Sequence, residues 1–181
     1  MSTPDAVLEF WFSPRVRPKW FVRSDELDRE IRDTFGELHA RAASCTLDGW
    51  SASSRGALAL VILLDQFPRN MFRGTPEAFA SDAKAREVAH AALAAGHDHD
   101  LTQEERVFLY LPLEHSEDLV DQERCVELMR ALDDSPTWHD YAVRHRDVIA
   151  RFGRFPHRNA ILGRESTAEE CEFLMQPGSS F

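Results

Sequence analysis

Ala57-Leu58-Ala59-Leu60-Val61-Ile62-Leu63-Leu64-Asp65-Gln66-Phe67-Pro68-Arg69-Asn70 is the stretch whose reading decides the fold. Ala57 to Leu64 is the most apolar segment of the chain and passes directly into Asp65-Gln66. By periodicity alone such a run fits a buried strand or a buried helix. Ala and Leu dominate it, only Val61 and Ile62 are β-branched, and the neighbouring segments carry helical spacing, so it reads as the central helix. Proline disfavours α geometry at the residue before it, which places the end of that helix near Phe67. Charged groups at the end of a buried segment are costly unless paired, so Asp65 and Arg69 demand partners. A partial echo follows ninety residues on, Phe152-Gly153-Arg154-Phe155-Pro156-His157-Arg158-Asn159.

Working outward, Thr3 before Pro4 reads as a helix cap with proline at the first helical position, opening a short helix with Val7, Leu8, Phe10, Trp11 and Phe12. Pro14 to Arg23 reads as a loop anchored by Trp20 and Phe21. Ser24 caps a longer helix with Asp25, Glu26 and Asp28 in its first turn and a stripe of Leu27, Ile31, Phe35, Leu38 and Ala42. Thr75-Pro76-Glu77 starts a helix expected to run to Gly96, with Asp82 on its small-residue face. Thr102 and Glu105 make a capping box for the next, inside which Pro112 predicts a kink or an end. Ser116 is the expected cap of a following helix. Ser135-Pro136 opens another, with Trp138, Tyr141, Ala142, His145, Val148, Ile149 and Phe152 as its stripe and Gly153 as its stop. Thr167 with Glu170, or Ser166 with Glu169, caps a last helix carrying Cys171, Phe173, Leu174 and Met175. No segment alternates like a strand. The pattern predicts an all-α chain, a single domain over residues 1–181, with seven to eight helices packed as antiparallel helical hairpins.

Composition narrows the function classes. Hydrophobic residues are 43% and charged residues 29% of 181, ordinary for a soluble globular protein. A net charge of −10 gives no electrostatic footprint for nucleic acid or an anionic membrane, so neither is expected as a partner. Cys45, Cys125 and Cys171 are widely spaced and odd in number, which points to reduced thiols in a cytoplasmic protein and not to a disulfide frame or zinc finger. The start has no basic segment leading into a long apolar run, so no signal peptide is expected.

The assembled motifs resemble a bacterial family known as domain of unknown function 924. The likeness is carried by Val7-Leu8 with Phe10-Trp11-Phe12, Leu64 to Asn70, Arg73-Gly74, Phe79-Ala80 with Asp82, and Pro112 to Glu117. It continues through His145, Arg151 to Asn159, Leu162-Gly163-Arg164 and the Phe181 end. The resemblance implies a tetratricopeptide-like helical fold and implies no activity.

Two constellations could carry chemistry. Each Phe-Pro motif sets an Arg-Asn pair after its proline, Arg69-Asn70 and Arg158-Asn159, and a guanidinium fork suits a carboxylate or phosphate. The functional reading is a pocket for a small anionic metabolite walled by both turns and the Glu114-His115-Ser116-Glu117 kink. Its ligand-binding residues are Asp65, Gln66, Arg69, Asn70, Arg154, Arg158 and Asn159, with Arg69 and Arg158 as clamps. His157 or His115 would serve as acid or base, and Asp65 and Glu117 as orienting carboxylates. His157 lies in a cationic run, which disfavours its protonated form. The structural alternative is that the arginines pair with Asp65, Asp82, Glu117 or main-chain carbonyls, a clasp within a helical scaffold that binds a protein partner. No metal-binding pattern, phosphate-cradling glycine loop or nucleophile motif is present, and the sequence names neither a cofactor nor a reaction.

Overall fold

The computed structural model describes residues 3–132 and 136–179. The expected Ser135 start and the Phe181 end lie outside the described residues. Among them the chain is all-helical: α1 (Pro4–Trp11), α2 (Asp25–Ala43), α3 (Ser54–Val61), α4 (Phe67–Met71), α5 (Asp82–Ala94), α6 (Gln103–Glu114), α7 (Leu119–Arg130), α8 (Pro136–Phe152) and α9 (Ala168–Leu174), with short 3₁₀ turns between them. A π turn, Ile62–Gln66, joins α3 to α4, so nine α segments make eight rods. None is long and apolar enough to cross a membrane. The chain divides into two compact units, Met1–Arg73 with Glu77–Pro112, and Gly74–Pro76 with Leu113–Phe181.

The first unit is built on the stripes read from sequence. Leu27, Ile31, Phe35, Leu38 and Ala42 of α2 are all buried, and Thr3 and Ser24 cap α1 and α2 through the Ala6 and Leu27 N–H groups. Every residue from Ala57 to Gln66 is buried. Gly56 is required where it stands, because a Cβ there would meet the Trp50 carbonyl oxygen at 2.0 Å. Trp11, Trp20, Phe10, Phe35, Phe67 and Phe108 pack edge to face, tilted or stacked at 4.5–6.1 Å. Of the expected loop anchors, Trp20 holds, donating to the Trp11 carbonyl at 2.9 Å, whereas Phe21 is 61% exposed.

The central helix does not end at Phe67. Phe67 keeps α geometry (φ −61°, ψ −39°), and the helix passes through Pro68 to Met71. The reason is the π turn, in which the Phe67 N–H reaches back five residues to the Ile62 carbonyl. Pro68 has no N–H, so neither Leu64, four residues back, nor Leu63, five residues back, can find its donor there. Side chains supply both: the Ser81 hydroxyl donates to Leu64 O at 2.6 Å and His39 Nδ1 to Leu63 O at 2.8 Å. Arg69 Nη1 donates to Asp65 O at 2.7 Å. The expected helix from Thr75 is likewise broken, into a 3₁₀ turn (Pro76–Phe79) and α5. Ser81 precedes α5 without capping it, because its hydroxyl is committed to Leu64.

In the second unit α7 packs most extensively with α8, and Val148, Ile149 and Phe155 form an apolar core with Phe152 and Phe173 against it. Pro112 does not interrupt α6, which continues for two residues beyond it. Asp118, not Ser116, caps α7, accepting from the Val120 N–H at 2.9 Å, while Ser116 donates to Asp121 at 2.7 Å. Gln122 of α7 is fully buried and its amide nitrogen meets the Glu114 and Ser116 carbonyls at 2.5 and 2.7 Å, covering the end of α6. Gly153 stops α8 in the left-handed region (φ +68°). Two expectations for the apolar faces fail: Tyr141 is exposed, and Cys171 of α9 and Met175 just after it (78% exposed) face solvent. What α9 buries is Glu170, 2% exposed, the acid of its capping box.

Candidate functional site

Within the first unit, the residues of Leu63 to Asn70 find protein partners. Asp65 is wholly buried, accepts from the Gln66 amide at 2.6 Å and lies 3.1 Å from Arg69. Arg69 grips Asp82 with both terminal nitrogens, at 2.9 and 3.0 Å. Burial works against the guanidinium charge, but Asp65 and Asp82 outweigh it and raise its pKa above the ordinary value. Asn70 donates to Asp28 at 2.7 Å, and Arg73 forks onto the same carboxylate at 3.0 Å twice. The Met71 carbonyl accepts from Arg32. The partner that Asp82 needed is therefore Arg69, and the structure adds Asp28, His39 and Ser81, none of which stood out in the sequence.

Within the second unit the Phe-Pro segment takes a different shape. Phe155 is extended (φ −88°, ψ +107°) and Pro156–Arg158 is a 3₁₀ turn, so the two motifs resemble each other in sequence and not in conformation. The Phe155 N–H donates to Glu117 at 2.8 Å, and Arg164 holds the same carboxylate with two nitrogens at 2.7 and 2.9 Å. Burial opposes the Glu117 charge, but Arg164 and the Phe155 N–H prevail and its pKa is lowered. Arg164 also donates to Asn159 Oδ1 at 2.9 Å, and Asn159 donates to Glu170 at 3.3 Å. Arg154 takes Glu170 with two nitrogens at 2.6 and 2.8 Å, and this pairing, with the Thr167 N–H, holds the Glu170 carboxyl at about 2.

Beside this network lies a cluster of imidazoles. Arg158, 6% exposed, lies with its guanidinium 4.4 Å from the Phe155 ring centre and donates to the His115 carbonyl at 3.0 Å. His157 packs on the same ring at 5.6 Å, His145 meets it edge on at 5.7 Å, and His115 lies 6.4 Å from His145. His145 Nδ1 donates to the Tyr141 carbonyl at 2.8 Å and stands 3.6 Å from Glu114. Burial first, with Arg158 and neighbouring histidines adding to it, lowers the His145 pKa to about 3 and that of His157 to about 4. The cationic run therefore acts on His157 in the expected direction, with burial the larger cause. Four expected site residues, His115, Glu117, His157 and Arg158, thus share one neighbourhood, joined by His145. Among the described residues no three His, Cys, Asp or Glu side chains gather so that they could hold a metal ion.

Residues 7–178 match the family described as bacterial protein of unknown function DUF924. The chain belongs to that family. A solved structure of a protein of unknown function from Agrobacterium tumefaciens is similar at 42% identity, covering 95% of this chain and 96% of its own, with a TM-score of 0.89. A comparison with curated proteins gives no match. Membership in DUF924 fixes the fold and carries no activity with it.

Proposed function

We propose that the second unit binds a small anionic ligand at the cluster of Arg158, His115, His145 and His157. The observation that carries this reading is the convergence of the His145 and His157 imidazoles and a buried guanidinium on the Phe155 ring, with His115 against His145. A guanidinium plane suits a carboxylate or phosphate group, and a neutral imidazole beside it can donate or accept a proton. His115, His157 and Glu117 are half-buried, so the cluster reaches the surface through them. In this reading Arg158 clamps the anion, His157 or His115 exchanges a proton with it, and Glu117, kept ionised by Arg164, orients the group. The free thiols of Cys45, Cys125 and Cys171 support a reducing compartment such as the cytoplasm.

A second reading, the clasp within a helical scaffold that binds a protein partner, is favoured at three other arginines. Arg69, Arg154 and Arg164 each spend two nitrogens on one carboxylate, of Asp82, Glu170 and Glu117 respectively. Asp65, Gln66, Arg69 and Asn70, and with them Arg154 and Asn159, then serve architecture, and the ligand role narrows to Arg158 and the histidines. Thermal unfolding with sulfate, phosphate and malonate tests the division. A ligand at a hundredfold its Kd adds about 2.7 kcal/mol to wild type. Arg158→Gln is expected to lose that shift, and Arg73→Gln to keep it. If no anion of the panel shifts wild type, the binding reading is wrong and the clasp stands alone.

A further inference from the structure

Resting on that reading of Arg158, the geometry of the 3₁₀ turn carries a consequence for how the anion binds. We infer that anion binding at Arg158 is coupled to uptake of a proton by His157. The two residues are adjacent in Pro156–Arg158 and both lie against the Phe155 ring, the guanidinium at 4.4 Å and the imidazole at 5.6 Å. The charged and titratable groups acting on His157 are Arg158 beside it, His115 and Glu117 from the kink after α6, and Arg164 from the following loop. His145 of α8 faces the same ring. Of these only Glu117 favours the imidazolium, and its carboxylate is shared with two Arg164 nitrogens and the Phe155 N–H. The cationic field of Arg158 is therefore a main reason, after burial, that His157 stays neutral.

An anion placed on Arg158 cancels that field at its source and adds negative charge beside the ring. The proton affinity of His157 then rises, and by linkage a rise in proton affinity on binding means tighter binding as protons become available. The direction follows from the depressed starting value of about 4. Affinity increases as pH falls from neutrality, and the gain ends near pH 4, where the free protein is protonated too. His145 responds less, because it is more deeply buried.

Sulfate is the probe, because it remains a dianion across the range. Titration calorimetry at pH 6, in buffers of different ionisation enthalpy, counts protons taken up. If the bound anion restores the ordinary imidazole value of 6.5, about 0.75 proton is taken up at pH 6 and Kd tightens about fourfold between pH 7.5 and 6. His157→Gln is expected to remove the uptake and flatten the pH slope, whatever its affinity. Sulfate binding to wild type with no uptake, or uptake that persists in His157→Gln, overturns the coupling while leaving the anion site in place. Absence of sulfate binding to wild type at every pH overturns the site and the coupling together.

Discussion

The passage of the central helix through Pro68 is the feature most open to quantitative attack. Leu64 O accepts a 2.6 Å hydrogen bond from Ser81, and both residues are buried. Ser81→Ala deletes one hydroxyl and leaves that carbonyl without its donor. A buried polar group stripped of its partner costs about 1–3 kcal/mol, and the small cavity adds little. The cost should depend on residue 68, since it is the missing N–H of Pro68 that orphans the carbonyl. In a Pro68→Ala background the main chain can offer its own N–H, and Ser81→Ala should then cost about 1 kcal/mol less. The four proteins of this cycle are compared by urea denaturation with tryptophan fluorescence, and the other consequences of removing proline cancel in the coupling term. Trp11, Trp20 and Trp50 lie in the first unit and Trp138 in the second, so a Trp138→Phe background confines the signal to the unit under test. A Ser81→Ala cost below about 0.5 kcal/mol, or an equal cost in both backgrounds, refutes the account of the π turn.

Other outcomes follow from the same geometry. Arg69→Met leaves Asp65 and Asp82 together at a largely buried position, and breaking such a pair from one side should cost about 3–5 kcal/mol in denaturant titration, part of it recovered on adding Asp82→Leu. Glu170 titrates at about 2 in the folded chain against 4.5 ordinarily, so its contribution is complete above pH 4.5 and disappears as pH falls towards 2; Glu170→Gln should flatten stability over that window while lowering it at neutral pH. His145 has the mirrored case of a depressed base: the unfolded chain takes up the proton first, so stability should fall as pH drops from 6.5 to about 3, and His145→Gln should weaken that slope. Nitrogen-15 NMR should find the His145 ring neutral at pH 6 with hydrogen on Nδ1, as its bond to the Tyr141 carbonyl requires.

How much of this was legible in the sequence depends on the range of the forces concerned. The caps of Thr3, Ser24, Thr102 and Thr167 and the stripe of α2 were readable, because cap and stripe depend on residues three or four apart. The demand for partners at Asp65 and Asp82 was readable too, since a buried acid needs compensation wherever it lies. That the two needs are met by one guanidinium, Arg69, was open as an alternative and not decided. The end of the central helix was misread because the penalty at a pre-proline residue is local, whereas the donors that offset it, His39 and Ser81, come from twenty-four and seventeen residues away. A missing N–H announces that two carbonyls need donors. It does not say which side chains will supply them.

The two Phe-Pro motifs carry the same lesson into the candidate site. In Phe67-Pro68-Arg69-Asn70 the backbone stays helical, which returns Arg69 to the carbonyl four residues back and sets it against Asp65 and Asp82. In Phe155-Pro156-His157-Arg158-Asn159 the extended Phe155 ends that geometry and frees its N–H for Glu117. The inserted histidine then places an imidazole, not the proline, directly before the arginine. The one-residue difference between the copies is therefore where their chemistry parts. The first arginine is consumed by two carboxylates of its own unit. The second stands among imidazoles, where burial and cationic charge keep two of them neutral near pH 7. Removing the extra residue by deleting His157 should accordingly cost the proton-coupled behaviour at Arg158 without touching the Arg69–Asp82 pair, and titration calorimetry with sulfate beside denaturation of the first unit separates those two effects.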